Sequence, residues 1–269
     1  MKHAIMVMGY GQEANVLQKT IDILDDSDIN FYIHWDKRWP LPKLTSHYSK
    51  IELVSKRVAV KWGSFTQVEA ERQLMMAVGS SYDYIHLISA MDIPLMTVDY
   101  FKQYFTDEVY IGFSNPEGFE DRLKGYYPNR VDFRKHKLTF KACQLFNRFL
   151  KINRLKDNTN FQVHKGPNWF SIKGKYVSEL INYDLSIFKH SCFPDEEYVQ
   201  SILGRFDIGD YSKDDNAQAV RYIDWHRGGP YVFTEEDIPE LKQLVNTDYA
   251  FARKVKEPSI VDKVMLVTE

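Results

Sequence analysis

Three consecutive carboxylates mark the stretch of sequence with the clearest catalytic potential. Asp195, Glu196 and Glu197 follow Pro194 and precede an amphipathic run that begins at Tyr198. A proline at the first helical position and acids in the first turn predict a helix N-terminus here. These acids could only complement the helix dipole, or one of them could be a general base that the positive helix end keeps ionised. Adjacent helical residues point about 100° apart, so only one glutamate could face a pocket.

Further acids and cations could complete a reaction centre. Asp36 and Asp92 each follow a predicted strand, and the last quarter of the chain contains Arg221, Arg227, Arg253 and Lys254. This mixture is typical of transfer from a nucleotide-activated donor. A carboxylate removes a proton from the acceptor, and cations stabilise the departing diphosphate.

Several metal and cofactor motifs do not occur in the sequence. Metal-dependent sugar transfer usually uses an Asp-x-Asp pair at a strand end, and the only match is Asp26-Ser27-Asp28. That match precedes a predicted strand, so we interpret it as a turn. The P-loop, the Gly-x-Gly-x-x-Gly fingerprint and His-Glu-x-x-His are absent from the sequence. The absence of these motifs argues against P-loop and Rossmann cofactor chemistry.

The elements that must position these residues alternate between strands and helices. Apolar runs predict strands at 4–8, 29–33, 51–54, 58–60, 84–88, 109–113, 169–172, 221–225 and 231–233. Helical spacing predicts helices at 15–24, 67–78, 98–105, 140–149 and 175–183, another that starts at the acids, and one that extends from a capping box at Thr234 to residue 245. The opening strand–helix–strand unit favours a nucleotide-type α/β sheet, which binds ligands at the carboxyl ends of its strands. We expect one domain over residues 1–269, with a basic and aromatic insert at 115–165 as a possible acceptor region.

Composition narrows the class of protein. The chain has 269 residues and a net charge of -2, which argues against a general nucleic-acid binder. Its two cysteines cannot form a disulfide framework, and a reducing compartment is the simplest assumption. Apolar runs are shorter than the ~20 residues of a membrane span. These features predict a cytoplasmic protein, with association at the inner membrane face as an option.

An ordered set of motifs resembles the core-2/I-branching β-1,6-N-acetylglucosaminyltransferase family, which also contains the peptide O-xylosyltransferases. The resemblance spans residues 5–255. Its motifs, in order, are Ile33-His34-Trp35-Asp36-Lys37, Lys61-Trp62-Gly63-Ser64-Phe65, His86-Leu87-Ile88-Ser89-Ala90-Met91-Asp92-Ile93-Pro94-Leu95, Gly166-Pro167-Asn168-Trp169-Phe170, Pro194-Asp195-Glu196, His226-Arg227-x-Gly and Phe251-Ala252-Arg253-Lys254.

The resemblance implies a GT-A-like fold, with a mixed, mostly parallel sheet flanked by helices. It also implies inverting, metal-independent transfer from a UDP-sugar, with no cofactor, to a hydroxyl of a glycan. Glu196 would be the base. The implied donor-side residues are Asp36 at the uridine, Trp62 and Asp92 in the donor pocket, and Arg227, Arg253 and Lys254 at the phosphates. Trp169 is a weaker candidate on the acceptor side.

The sequence is compatible with alternatives for the donor sugar, the acceptor and the class of protein. N-acetylglucosamine is the expected sugar, with galactose, glucose and xylose as alternatives, and the expected product belongs to a cell-surface or exported polysaccharide. The acceptor could be lipid-linked. A non-catalytic nucleotide-sugar-binding or glycan-binding protein is an alternative of another class, and an RNA- or membrane-surface module using the basic insert is a further one. The missing disulfides and membrane anchor of the animal enzymes point to a bacterial-type member, and the insert at 115–165 matches the family poorly.

Overall fold

The computed structural model describes residues 1–115, 119, 121–158, 160–206 and 214–265. Its strands are β1 (His3–Gly9), β2 (Ile29–Trp35), β3 (Ile51–Leu53), β4 (Tyr84–Ser89), β5 (Asp92–Pro94), β6 (Val109–Ile111), β7 (Phe170–Lys173), β8 (Arg221–Ile223) and β9 (Phe251–Arg253). Its helices are α1 (Asn15–Ile23), α2 (Thr66–Val78), α3 (Val98–Tyr104), α4 (Asp121–Lys124), α5 (Lys137–Phe149), α6 (Val177–Asn182), α7 (Tyr198–Gly204), α8 (Asp215–Gln218), α9 (Ile238–Gln243) and α10 (Pro258–Met265).

A six-stranded sheet in the order β3-β2-β1-β4-β7-β6 forms the centre of the fold. Strands β1 to β4 are parallel, while β7 runs antiparallel to both of its neighbours, β4 and β6. A second sheet joins β5, β9 and β8 beside the carboxyl end of β4. The predicted mixed, mostly parallel sheet flanked by helices is therefore confirmed, and it is compatible with a GT-A-like fold.

Helices cover both faces of the central sheet, as parallel strands require. Side chains alternate along a strand, so Ala4 and Met6 of β1 pack with α2 on one face. Ile5 and Val7 pack with α1 and α3 on the other face. The carboxyl ends of β1, β2 and β4 therefore meet at one edge, where Asp36 and the β5 strand lie.

Some sequence predictions are wrong at the element level. Residues 58–60 and 231–233 do not form strands; Val58 and Val60 instead donate to the side chains of His34 and Asp36. Asp92 follows β4 as predicted, and it also begins β5, which was not predicted, where it pairs with Arg253 of β9. The pair Asp26 and Asp28 does form a turn, in which both carboxylates contact Lys102.

The predicted insert at 115–165 contains α4 and α5, and residues 116–118, 120 and 159 of it lie outside the described residues. The predicted helix at 140–149 is confirmed, with an earlier start at Lys137. Among the described residues, no helix has the length and apolar character needed to cross a bilayer. The cytoplasmic location stays a prediction.

Candidate functional site

The acidic turn, residues 193–197, begins with backbone that is closely packed against the loop carrying Trp62. Phe193 has a positive φ of 53°, and its N–H donates to the Gly63 carbonyl at 2.9 Å. Gly63 has a φ of +73°, and a Cβ there would lie 2.8 Å from the Phe193 ring. Only glycine fits such a position without strain. Trp62 consequently lies edge-on to Phe193, with 4.8 Å between the ring centroids.

Within the acidic turn, the three carboxylates have different environments. Glu196 has a side chain that is 34% exposed, and its Oε2 accepts a hydrogen bond from Arg122 at 2.7 Å. Asp195 and Glu197 are buried. Pro194–Glu196 forms a 3-10 turn, and α7 begins only at Tyr198. The predicted helical start at Pro194 is thus a single 3-10 turn with Asp195 and Glu196 in it, and the cation in contact with Glu196 is Arg122. The role of this helical start at Glu196 stays a prediction.

A buried hydrogen-bond network centred on Glu71 lies next to the acidic turn. Glu71 of α2 accepts hydrogen bonds from Asn168 at 2.9 Å and from the Tyr198 hydroxyl at 2.7 Å. Burial raises the pKa of Glu71 to about 8, and the negative charge of Asp195 adds to the effect. Burial, followed by the charge of Glu196, likewise raises the pKa of Asp195 to about 7. Burial also raises the pKa of Glu197 well above its usual value. This network favours protonated carboxyls, which suits a supporting role more than a base.

Asp36 lies at the carboxyl end of β2 and is already fully hydrogen-bonded. Its Oδ1 accepts from the Arg38 backbone N–H and Nε, both at 2.9 Å, and its Oδ2 accepts from Arg38 Nη2 at 2.6 Å and Val60 N at 3.1 Å. Burial raises the pKa of Asp36, but these hydrogen bonds outweigh burial and lower it. A carboxylate accepts about four hydrogen bonds. A uridine contact at Asp36 would therefore replace one of these bonds.

Asp92 and Arg253 form a buried ion pair where β5 meets β9. Arg253 Nη1 lies 2.8 Å from Asp92 Oδ1, and the Ser89 N–H donates to Asp92 Oδ2 at 2.8 Å. The Arg253 guanidinium also stacks on Trp169, 4.3 Å from the ring centroid. Trp169, predicted on the acceptor side, thus lies beside the donor-side residues.

Lys254 differs from Arg227 and Arg253 because, among the described residues, no carboxylate contacts it directly. Within the part of the chain that the structure describes, its ammonium pairs with no carboxylate. Burial lowers the pKa of Lys254, and the positive charges of Arg253, Lys256 and Arg134 lower it further. Arg134 in turn stacks on Trp62 at 4.5 Å. Arg134, Arg253 and Lys254 form a cation cluster that suits an anionic ligand.

Arg227 and Arg221 are bound by acceptors of the protein itself. Arg227 contacts Asp224, Asp237 and Glu240, with 2.6 Å to Asp237 and 2.8 Å to Glu240. Arg221 is 1% exposed and donates to backbone carbonyls of β4 and β7. Arg221 therefore links strands β4 and β7 of the central sheet. The phosphate role of Arg227 stays a prediction, and a ligand there would have to compete with three carboxylates.

The structure brings most of the predicted residues together. Contacts join Glu196, Phe193, Trp62 and Arg134 in one group. A second group joins Asp92, Arg253 and Trp169, with Lys254 next to Arg253 in the chain. The positive charge of Arg134 lowers the pKa of Lys254, so the two groups are neighbours. A separate cleft of about 450 Å³, between α2 and residues 182–189, is lined by none of them. No group of three or more potential metal ligands occurs among residues 1–115, 119, 121–158, 160–206 and 214–265.

Sequence reasoning missed three arginines that surround the site. Arg38 holds Asp36, Arg122 holds Glu196, and Arg134 joins Trp62 to the cation cluster. Arg122 and Arg134 belong to the basic insert, so the density of basic residues there was the available signal. Their individual partners depend on contacts distant in sequence, which spacing alone does not reveal.

The fold is compatible with the GT-A-like class. The sequence profile described as "Branch: Core-2/I-Branching enzyme" matches residues 4–243. The chain therefore belongs to the Core-2/I-branching enzyme family, and the predicted family is confirmed.

Curated relatives of the chain are xylosyltransferases. The chain is 25% identical over 272 residues to Xylosyltransferase oxt of Drosophila melanogaster, covering 89% of this chain and 30% of that protein. It is 20% identical over 280 residues to Xylosyltransferase 1 of Rattus norvegicus, covering 93% and 33%. It is 21% identical over 282 residues to human Xylosyltransferase 1, covering 93% and 28%. The chain thus spans about a third of the length of these relatives.

Proposed function

We propose that this protein transfers a sugar from a UDP-sugar to a hydroxyl of a glycan, with inversion and without a metal ion. The observation that carries the proposal is the position of Trp62. Its ring contacts Phe193 of the acidic turn on one side and Arg134, a member of the cation cluster, on another. A carboxylate that can accept a proton and cations that can bind a diphosphate therefore border one surface.

Glu196 is the proposed general base. Its Oε2 is bound by Arg122, whereas its Oε1 accepts no hydrogen bond within the described part of the chain. This free oxygen can take the proton of the acceptor hydroxyl. The acceptor oxygen then forms a bond to the anomeric carbon as the bond from that carbon to the diphosphate breaks.

The cation cluster is the proposed site of the departing UDP. Lys254 has no carboxylate partner among the described residues, so we assign its charge to the β-phosphate, where negative charge develops. Arg253 adds charge while its pair with Asp92 fixes the end of β9. In this proposal Asp36 orders the loop that borders the uridine. Trp169 shapes the floor of the site through its stacking on Arg253.

The donor sugar is the finer part of the proposal. N-acetylglucosamine and xylose are the first candidates, because the family includes N-acetylglucosaminyltransferases and the curated relatives are named xylosyltransferases. Galactose and glucose follow as alternatives. The two leading sugars differ at C2 and C5, so the side chains around those carbons would select between them.

A thermal-shift screen of UDP-sugars with and without EDTA tests the proposal. A ligand at 100-fold its Kd stabilises the folded state by about 2.7 kcal/mol, so the true donor should raise Tm most. We expect the same shift in EDTA, followed by sugar transfer to an acceptor. A strict requirement for Mg²⁺ or Mn²⁺ would overturn the role of Lys254 and Arg253. Binding without hydrolysis or transfer would instead favour a non-catalytic nucleotide-sugar-binding protein.

A further inference from the structure

Helix α5 carries a row of apolar side chains that the described part of the chain leaves uncovered. Leu138 is 84% exposed, Leu145 is 69% exposed and Phe149 is 85% exposed. They are spaced by 7 and 4 residues, which places them on one side of a helix, and Phe146 borders them. These four residues are the apolar stripe.

The opposite side of α5 attaches the helix to the protein. Phe140 packs against Tyr127, Phe133 and Phe193, with ring centroids 5.3 to 6.2 Å apart. Asn147 exchanges hydrogen bonds with the backbone of Tyr126. At about 100° per residue, the side holding residues 140 and 147 lies roughly opposite the stripe. The stripe therefore points directly away from the protein.

Positive charge surrounds this helix. Residues 130–156 contain nine Lys or Arg and one acid, in a chain whose net charge is -2. Lys137, Lys141 and Arg148 lie together along one flank of the stripe, because they are spaced by four and seven residues. In the described part of the chain, none of these three side chains is paired with a carboxylate.

We propose that α5 lies in the headgroup layer of an anionic membrane, with the apolar stripe inserted and the basic flank at the lipid phosphates. Leucine and phenylalanine on one face and unpaired lysine and arginine beside it are typical of helices that bind at the bilayer surface. A second copy of this chain fits less well, since it would bring a like-charged surface into contact. Sugar hydroxyls or nucleic-acid phosphates would leave the stripe exposed to water.

The surface lies close to the candidate site. Phe140 contacts Phe193, the first residue of the acidic turn, at 6.2 Å between centroids. A protein docked through α5 would therefore hold Glu196 near the membrane. If the proposed function is correct, this arrangement suits an acceptor glycan carried on a lipid. The docking itself goes beyond that function and does not depend on it.

Vesicle flotation of four proteins tests the docking. The wild type is compared with Leu138→Gln/Leu145→Gln/Phe149→Gln, with Lys137→Gln/Lys141→Gln/Arg148→Gln, and with the matched control Leu41→Gln/Tyr48→Gln/Met76→Gln, which removes exposed apolar side chains elsewhere. Vesicles are phosphatidylcholine alone or with about 30 mol % phosphatidylglycerol, the anionic component that attracts basic residues.

We expect the wild type and the control to bind anionic vesicles, and to bind neutral ones much more weakly. The stripe variant should lose about 100-fold or more in vesicle affinity. The charge variant should lose about fivefold per charge on anionic vesicles and little on neutral ones. Tm and UDP affinity should stay unchanged in all variants, because the substituted side chains are exposed.

Two results would overturn the proposal. The first is a wild type that floats with neither kind of vesicle. The second is a stripe variant that floats like the wild type. In that second case, a dimer that the stripe substitutions abolish in sedimentation velocity would identify a second copy of this chain as the occupant of the stripe.

Discussion

The acidic turn and the cation cluster are neighbouring regions with opposite charge. They differ in whether a buried carboxyl group has a cationic partner. In the acidic turn, Asp195 and Glu197 are buried, and burial raises the pKa of both. Beside the cation cluster, the buried Asp92 is paired with Arg253. Among the described residues, each region nevertheless leaves one group with free bonding capacity, Glu196 in the first and Lys254 in the second. The difference teaches that one half of the site buries carboxyl oxygens without partners, while the other buries a carboxylate in an ion pair.

The largest expected effect is the loss of the base. Glu196→Gln should reduce sugar transfer by about 10²- to 10⁴-fold, because glutamine cannot accept the acceptor proton. UDP affinity should stay close to that of the wild type, since the cation cluster is intact. Initial rates measure sugar transfer, and calorimetry on the same preparation measures UDP affinity. Turnover within a few-fold of wild type would assign the acidic turn a purely structural role.

Lys254→Ala tests the other half of the comparison. The loss of a charge-assisted contact should weaken UDP binding by about 1–3 kcal/mol, measured by calorimetry. Lys256→Ala is the matched control, because Lys256 is exposed and lies two residues further on. We expect that control to bind UDP like the wild type. Equal affinity of the Lys254 variant would remove this residue from the phosphate site.

Arg227→Ala separates positioning from phosphate binding. Three carboxylates contact Arg227, so its removal leaves Asp224, Asp237 and Glu240 in mutual repulsion. We expect a lower Tm, and a UDP affinity reduced less than in Lys254→Ala. A positioning role of Arg227 changes Tm, whereas a phosphate-binding role changes UDP affinity, so the two measurements distinguish the roles. An unchanged Tm with a large loss of UDP affinity would show that Arg227 binds phosphate directly.

The last prediction concerns the pH dependence of stability, not activity. The pKa of Glu71 rises to about 8 from its ordinary value of 4.5, so the native state holds an extra proton between these values. Its contribution therefore lowers the free energy of unfolding as pH rises through this window. Glu71→Gln should flatten that slope in urea unfolding at a series of pH values. If Glu71→Gln leaves the pH dependence of the free energy of unfolding identical to that of the wild type, a group other than Glu71 causes that dependence.

The sequence predicted the ordered core of the fold well. Apolar runs at 4–8, 29–33 and 84–88 matched β1, β2 and β4, because strands buried on both faces are almost uniformly apolar. Short strands were predicted less well. Residues 58–60 have a strand-like composition, but their backbone N–H groups bond to side chains at the end of β2.

For the site, the sequence by itself determined which residue types are present and the order in which they occur. That order was enough to identify the family and to single out Glu196, Trp62, Arg253 and Lys254. Only the tertiary structure decided which acid of the turn reaches solvent, and that Arg227 and Arg253 are paired with carboxylates while Lys254 has no such contact among the described residues. The physical reason is that burial and ion pairing depend on contacts between residues far apart in the chain. Arg122 and Glu196 are 74 positions apart, and Asp92 and Arg253 are 161 positions apart, so local spacing contains no record of either pair.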